Sequence, residues 1–265
     1  MGRDCCESGC VIDTHAHIHD PQFDDDRDDM LRRAQEAGVE TIVTIGCDLD
    51  DSERAMQLAD GAGLAWTLGV HPHEAKDAPP NLTEAFDALL ARAPVQPRAV
   101  GETGLDFHYD HSPRDVQVKV MEAQLAYARA RDMPLVFHQR EAFPTFVETL
   151  RKNKFDTMRG IVHCFSGTAA EARTLTNEFG FLLGIGGVVT FKNSDRLREA
   201  VRAVGVEHIV LETDCPYLAP QPKRGERNEP SFMTYTVDRL CELLVCDRIE
   251  LLGVTSKNAR ELLAL

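Results

Sequence analysis

The chain has 265 residues, 43% of them hydrophobic and 27% charged, a length that can bury a large core and suits either one α/β barrel or two smaller domains. Its formal net charge of -14 excludes nonspecific, whole-surface attraction to nucleic acid, so a phosphate-bearing substrate would need a local positive site of the kind bound divalent metals supply. No apolar run reaches the roughly 18 residues of a membrane span and no charged-then-apolar signal segment opens the chain, which leads us to expect a cytoplasmic protein.

Residues 1–10 contain Cys5, Cys6 and Cys10 with no partner set of zinc-finger spacing, and read as a flexible tail ahead of one domain over 11–265. Without an export signal, the other cysteines read as reduced, largely buried thiols. The apolar approach Val11-Ile12 then leads through Asp13 to His15 and His17. Successive strand side chains alternate faces, so the two histidines share one face and make half a metal site, with Asp13 beneath them. The acidic run over 24–29 matches a helix start, where negative charge complements the helix dipole.

Strand-like runs follow at 41–45, 65–70, 98–102, 135–138, 160–164, 181–185 and 209–213, interleaved with helical patterns such as 52–60, 81–92, 113–131 and 194–203. Eight strands, each followed by a helix, predict a single (β/α)8 TIM-type barrel in the α/β class; an open doubly wound sheet is the close alternative. Active sites of the barrel lie at the C-terminal ends of its strands. There the sequence places His15 and His17, then His71 and His73, Glu102, His138 with Arg140, His163, and Glu212 with Asp214.

Four imidazoles and two carboxylates, from His15, His17, Glu102, His138, His163 and Asp214, exceed what one four-coordinate metal needs. They suit two divalent ions, zinc, manganese or magnesium, with Glu102 as the bridging carboxylate. Asp214 is then the group that holds the attacking water and takes its proton, and Glu212, one layer deeper, orients a ligand or carries a proton. Alternation points Cys164 and Cys215 away from the metals. His71 has inward parity and reads as a substrate contact, whereas His73 reads as a loop histidine. The segment over 221–230 carries Lys223, Arg224 and Arg227 in an otherwise acidic chain, and with Arg140 it offers guanidinium forks for substrate phosphate.

With these pieces in order, the chain closely resembles the TatD family of metal-dependent deoxyribonucleases, within the amidohydrolase-like barrels. The resemblance runs from about residue 11 to the C-terminus. It rests on the stretches at 13–17, 69–73, 101–106, 134–140, 163–167, 212–218 and 227–230, together with Gln117 and Gln124. It implies the same six ligands, a TIM-type barrel and hydrolysis of DNA phosphodiesters, often as a 3'-5' exonuclease on single strands, in DNA repair or turnover. The matched stretch at 227–230 adds Asn228 as a substrate-binding residue. Departures are small: Met121 stands where an aromatic is common and Gln139 where a small hydroxyl residue is usual. DNA, with RNA as a second substrate, is the expected partner, and a monomer the expected state. The same barrel and ligands also serve carbon-centred ester and amide hydrolysis, including deacylation of D-aminoacyl-tRNA, so that reading stays open.

Overall fold

The computed structural model describes residues 10–59 and 63–265. The expected tail thus lies outside the described residues except for Cys10, whose carbonyl accepts a hydrogen bond from Ser256 Oγ at 2.8 Å. All eight expected strands form: β1 (Val11–Ala16), β2 (Val39–Thr44), β3 (Leu64–Leu68), β4 (Ala99–Asp106), β5 (Leu135–Arg140), β6 (Gly160–Val162), β7 (Leu182–Ile185) and β8 (Ile209–Leu211). They lie in one eight-stranded sheet in chain order, β1 through β8, with helices between them, so the fold is the expected (β/α)8 TIM type. Strand interiors are mostly buried, as strands covered on both faces require.

The helices are α1 (Arg27–Glu36), α2 (Leu49–Leu58), α3 (Leu82–Leu90), α4 (Arg114–Arg131), α5 (Phe143–Lys152), α6 (Ala169–Phe179), α7 (Asp195–Val204), α8 (Met233–Leu244) and α9 (Arg248–Leu263). The acidic run does open α1, with Asp28 and Asp29 in its first turn. Helix α2 starts at Leu49 rather than near Ser52. The Asp48 carboxylate accepts from the Asp51 amide at 2.7 Å and caps the helix, whereas Ser52 is fully buried inside it.

The chain divides into two compact units, one formed by the residues up to Val43 together with Cys164–Leu265, the other by Thr44–His163. In the first, β7 and β8 pair in parallel, and the ends of β1 and β8 are tied by His17 N to Cys215 O at 2.7 Å and Asp214 N to His15 O at 2.8 Å. In the second, β3, β4, β5 and β6 pair in parallel in that order. The β4–β5 register slips between Val100 and Thr103, a bulge that re-aims Glu102. Beyond it, Gly104 pairs with His138, and a Cβ at Gly104 would stand 2.0 Å from the His138 carbonyl oxygen. Only glycine lets β4 and β5 approach there, and its φ of +140° is open to few other residues. No helix is long and apolar enough to cross a membrane among the described residues.

Candidate metal centre

Among the described residues, His15, His17 and Asp214 form a donor group within the first unit, and His71, Glu102 and His138 form one within the second. In the first unit His15 is fully buried in β1 and His17 follows that strand; their Nε2 atoms lie 3.8 and 3.5 Å from Asp214 Oδ1. The expected alternation holds, since both imidazoles reach one carboxylate. Asp214 has φ of 58°, a left-handed conformation that aspartate tolerates better than most residues. Asp13 lies beneath: it accepts from the His15 amide at 3.3 Å, the Thr213 amide at 2.9 Å and the Thr213 hydroxyl at 2.6 Å. Burial pushes its pKa up to about 7 against those hydrogen bonds. It locks β1 to the chain leading into Asp214 at the level where both ligands emerge.

In the second unit Glu102 is the hub. Its Oε1 is 3.0 Å from His138 Nδ1, 3.2 Å from His163 Nε2 and 3.5 Å from His71 Nε2. The roles of the histidines differ. His71 Nδ1 accepts from the His73 amide at 3.1 Å, so the neutral ring carries its proton on Nε2 and donates toward Glu102. Burial holds the His71 pKa well below the usual imidazole value, which keeps the ring neutral. In this tautomer His71 directs an N–H toward Glu102, and with Glu102 and His138 it makes up a group whose donor atoms lie close enough to hold an ion. His138 has its Nε2 3.0 Å from Asp106 Oδ2, which fixes that nitrogen as the donor and turns Nδ1 toward Glu102. Burial works against the charged ring, but the hydrogen bonds to Asp106 and Glu102 raise its pKa overall.

Asp106 is the residue the sequence reading missed. Its Oδ2 accepts from both His138 and His73, each at 3.0 Å, and its Oδ1 from the amides of His108 and Tyr109 at 2.9 Å. Burial alone would raise its pKa; these four donors hold it far below the carboxylate range instead. His73, expected to be a loop histidine, is drawn in by this contact. The available signal was spacing, since Asp106 stands four residues after Glu102 on one strand. Gln117 and Gln124 also gain roles. From α4, Gln117 bonds both the amide and the carbonyl of Asp106, and Gln124 bonds both those of Val70 and the Thr103 hydroxyl. The Cys47 thiol, read from sequence only as a buried small residue, is 4.0 Å from Glu102 Oε2. Neither Cys164 nor Cys215 joins a donor group among the described residues.

The remaining expected residues lie apart from these groups. Glu212 is fully buried in the first unit and accepts from the Cys164 amide at 2.6 Å, bracing the turn that follows His163. Asn228 is buried, with its amide hydrogens on the carbonyls of Thr213 and Tyr217, so it ties the 221–230 loop to the segment around Asp214. The cations of that loop are not equivalent. Arg227 forks onto both Asp26 oxygens at 2.8 and 2.7 Å and Lys223 pairs with Glu226, whereas Arg224 is exposed over the Phe191 ring. Arg140, exposed at the end of β5, lies over Tyr109.

Neighbouring ligand atoms in a tetrahedral site with bonds near 2.05 Å stand about 3.3 Å apart. The spacings of 3.5 and 3.8 Å around Asp214 and 3.0 and 3.2 Å around Glu102 bracket that value. Mixed imidazole and carboxylate donors at this spacing fit zinc or manganese, and the His138–Asp106 pair is the carboxylate–histidine support that metal-bound imidazoles commonly carry.

A family model for TatD-related DNases matches residues 12–264. Among curated proteins, the chain is 36% identical over 253 residues to the uncharacterized metal-dependent hydrolase YabD of Bacillus subtilis, covering 95% of this chain and 98% of that protein. It is 35% identical over 262 residues to the 3'-5' ssDNA/RNA exonuclease TatD of Erwinia amylovora, covering 96% and 100%. Among solved structures, the TatD homologue YjjV of Escherichia coli superposes with a TM-score of 0.90 at 28% identity, covering 96% of this chain and 98% of that one.

Proposed function

The chain belongs to the family of TatD-related DNases, and from that membership and its two donor groups we propose that it hydrolyses phosphodiester bonds in DNA. We read it as a 3'-5' exonuclease on single strands, with RNA as a second substrate, acting as one cytoplasmic, monomeric domain over 11–265 in DNA repair or turnover. The observation that carries the reading is the pair of carboxylates that gather imidazoles, Asp214 with His15 and His17 in one unit and Glu102 with His138 and His163 in the other, every imidazole nitrogen lying between 3.0 and 3.8 Å from its carboxylate oxygen. We assign one divalent ion to each group, zinc or manganese first and magnesium second. Such ions lower the pKa of bound water to about 7 and offset the charge that develops on phosphate oxygens.

The chain's own residues do the rest. His15 and His17 keep the Asp214 carboxylate in place, and Asp214 takes the proton of the attacking water at an oxygen. Glu102 is held by the His71 donor on one side and the His138 ring on the other. Glu212 braces the His163 turn through the Cys164 amide, which makes it a positioning residue. Arg140 and Arg224 are exposed cations without an ion pair among the described residues, free to take phosphate oxygens, while Asn228 holds the loop that carries Arg224.

The test is product analysis on end-labelled single-stranded DNA and RNA with zinc, manganese and magnesium in turn, beside ester, amide and aminoacyl-tRNA substrates. Mononucleotide release from the 3' end, lost in Glu102→Ala and Asp214→Ala, is expected. Turnover confined to carbon-centred substrates would overturn the reading.

A further inference from the structure

Immediately beyond β4, the described chain carries an exposed cluster of rings around Tyr109, beside the Arg140 assigned above to phosphate. Tyr109 is 50% exposed, one of few large hydrophobic side chains so open in the described residues. The ring of His111 lies parallel to it, 4° between planes and 5.5 Å between centroids, and the Arg140 guanidinium sits 4.6 Å from the Tyr109 centroid. His111 and Arg140 are themselves exposed. The acids of this surface have other partners, Asp110 the Arg114 guanidinium at 2.9 Å and Glu141 the His108 ring at 2.8 Å. Arg140 has no carboxylate partner among the described residues, which leaves its guanidinium beside two stacked rings without an ion pair. In a chain of net charge -14 that is an unusual combination.

The patch is also fixed to the proposed metal centre. Asp106 accepts from the Tyr109 amide at 2.9 Å with one oxygen and from His138 Nε2 at 3.0 Å with the other, so a single carboxylate sets both the platform loop and a ligand. Arg140 stands two residues after His138 in β5, on the same face of the strand. Every group in this chain of contacts belongs to the second unit.

We propose that Tyr109, His111 and Arg140 form a nucleotide subsite, in which Tyr109 stacks on a nucleobase of the substrate strand and Arg140 takes the adjoining phosphate. The proposal rests on the reading of the chain as a nuclease. A tyrosine face accepts any base, because every base offers a π-face, so the subsite supports degradation without sequence preference. The arginine adds a local positive charge in a planar fork suited to phosphate.

The experiment compares wild type, Tyr109→Ala and Tyr109→Phe, each metal-loaded. Two single-stranded oligonucleotides are used, one natural and one with abasic residues near its 3' end, made with phosphorothioate links for binding and phosphodiester links for turnover. Tyr109→Ala should weaken binding of the natural strand roughly 10- to 100-fold, as loss of one base stack does, and leave the abasic strand unchanged. Tyr109→Phe should remain within about two-fold of wild type, since the ring and not the hydroxyl stacks. Tyr109→Ala binding the natural strand like wild type, or losing both strands equally, would overturn the subsite while leaving wild-type hydrolysis intact. A wild-type chain that cleaves neither strand would overturn the nuclease reading itself, and the subsite with it.

Discussion

Asp106→Asn isolates the residue that joins the proposed ligand His138 to the rest of its unit. In the native chain four donors converge on one carboxylate: the imidazole Nε2 atoms of His138 and His73 at 3.0 Å, and the amides of His108 and Tyr109 at 2.9 Å. An asparagine offers one oxygen to those four donors and aims an NH2 group at two of them. With the NH2 in the Oδ2 position His138 loses the acceptor that fixes its proton on Nε2, and with the oxygen there it keeps only a neutral, weaker acceptor while the NH2 faces the amides of His108 and Tyr109. A hydrogen bond to a charged group contributes about 1.5 to 3 kcal/mol, and loss of a carboxylate behind a metal-bound imidazole typically costs about 10- to 100-fold in metal affinity, so the two scales agree. The assay is calorimetric titration of the metal-free protein with zinc. The weaker affinity should appear in one binding event, that of the group with His138, while the His15, His17 and Asp214 group binds as before. Nitrogen chemical shifts of the His138 ring should change tautomer signature in the metal-free variant. Two unchanged binding events in a folded Asp106→Asn protein would refute the assignment of Asp106 as a positioning residue.

Gly184→Ala should destabilise the fold by about 1 to 3 kcal/mol, because a Cβ there would stand 2.1 Å from Oε2 of the fully buried Glu212; an unchanged urea midpoint would contradict it. Arg227 and Arg33 hold the Asp26 carboxyl at a pKa of about 2, below its unfolded value. The stability this contributes is therefore complete above about pH 4 and lost as pH falls through 2. The stability gap between wild type and Asp26→Asn should shrink between pH 5 and pH 2, and a gap constant across that range would sink the idea. Arg224→Ala should weaken single-strand binding by roughly 10-fold with metal content intact, and flatten the logarithmic salt dependence by about 0.7. Arg227→Ala should instead lower thermal stability, since its guanidinium is engaged with Asp26; equal binding losses in both variants would show that the loop cations act alike.

Periodicity was enough to locate all eight strands, because each is a short apolar run between polar helical stretches. Parity along β1 correctly brought His15 and His17 to one partner, since nothing interrupts that strand. What the sequence could not supply was the direction of side chains where the backbone departs from regularity or where partners are distant in the chain. The bulge between Val100 and Thr103 breaks the alternation on which any reading of Glu102 and Asp106 depends. The tautomer of His71, too, is set only by the His73 amide found on its Nδ1. Likewise Arg224 and Arg227 are equivalent charges in sequence, and only tertiary packing engages one with Asp26 and leaves the other exposed. Residue type and spacing are local properties that the chain carries with it, whereas the direction of a hydrogen bond and the pairing of a charge depend on which distant groups folding brings within about 3 Å.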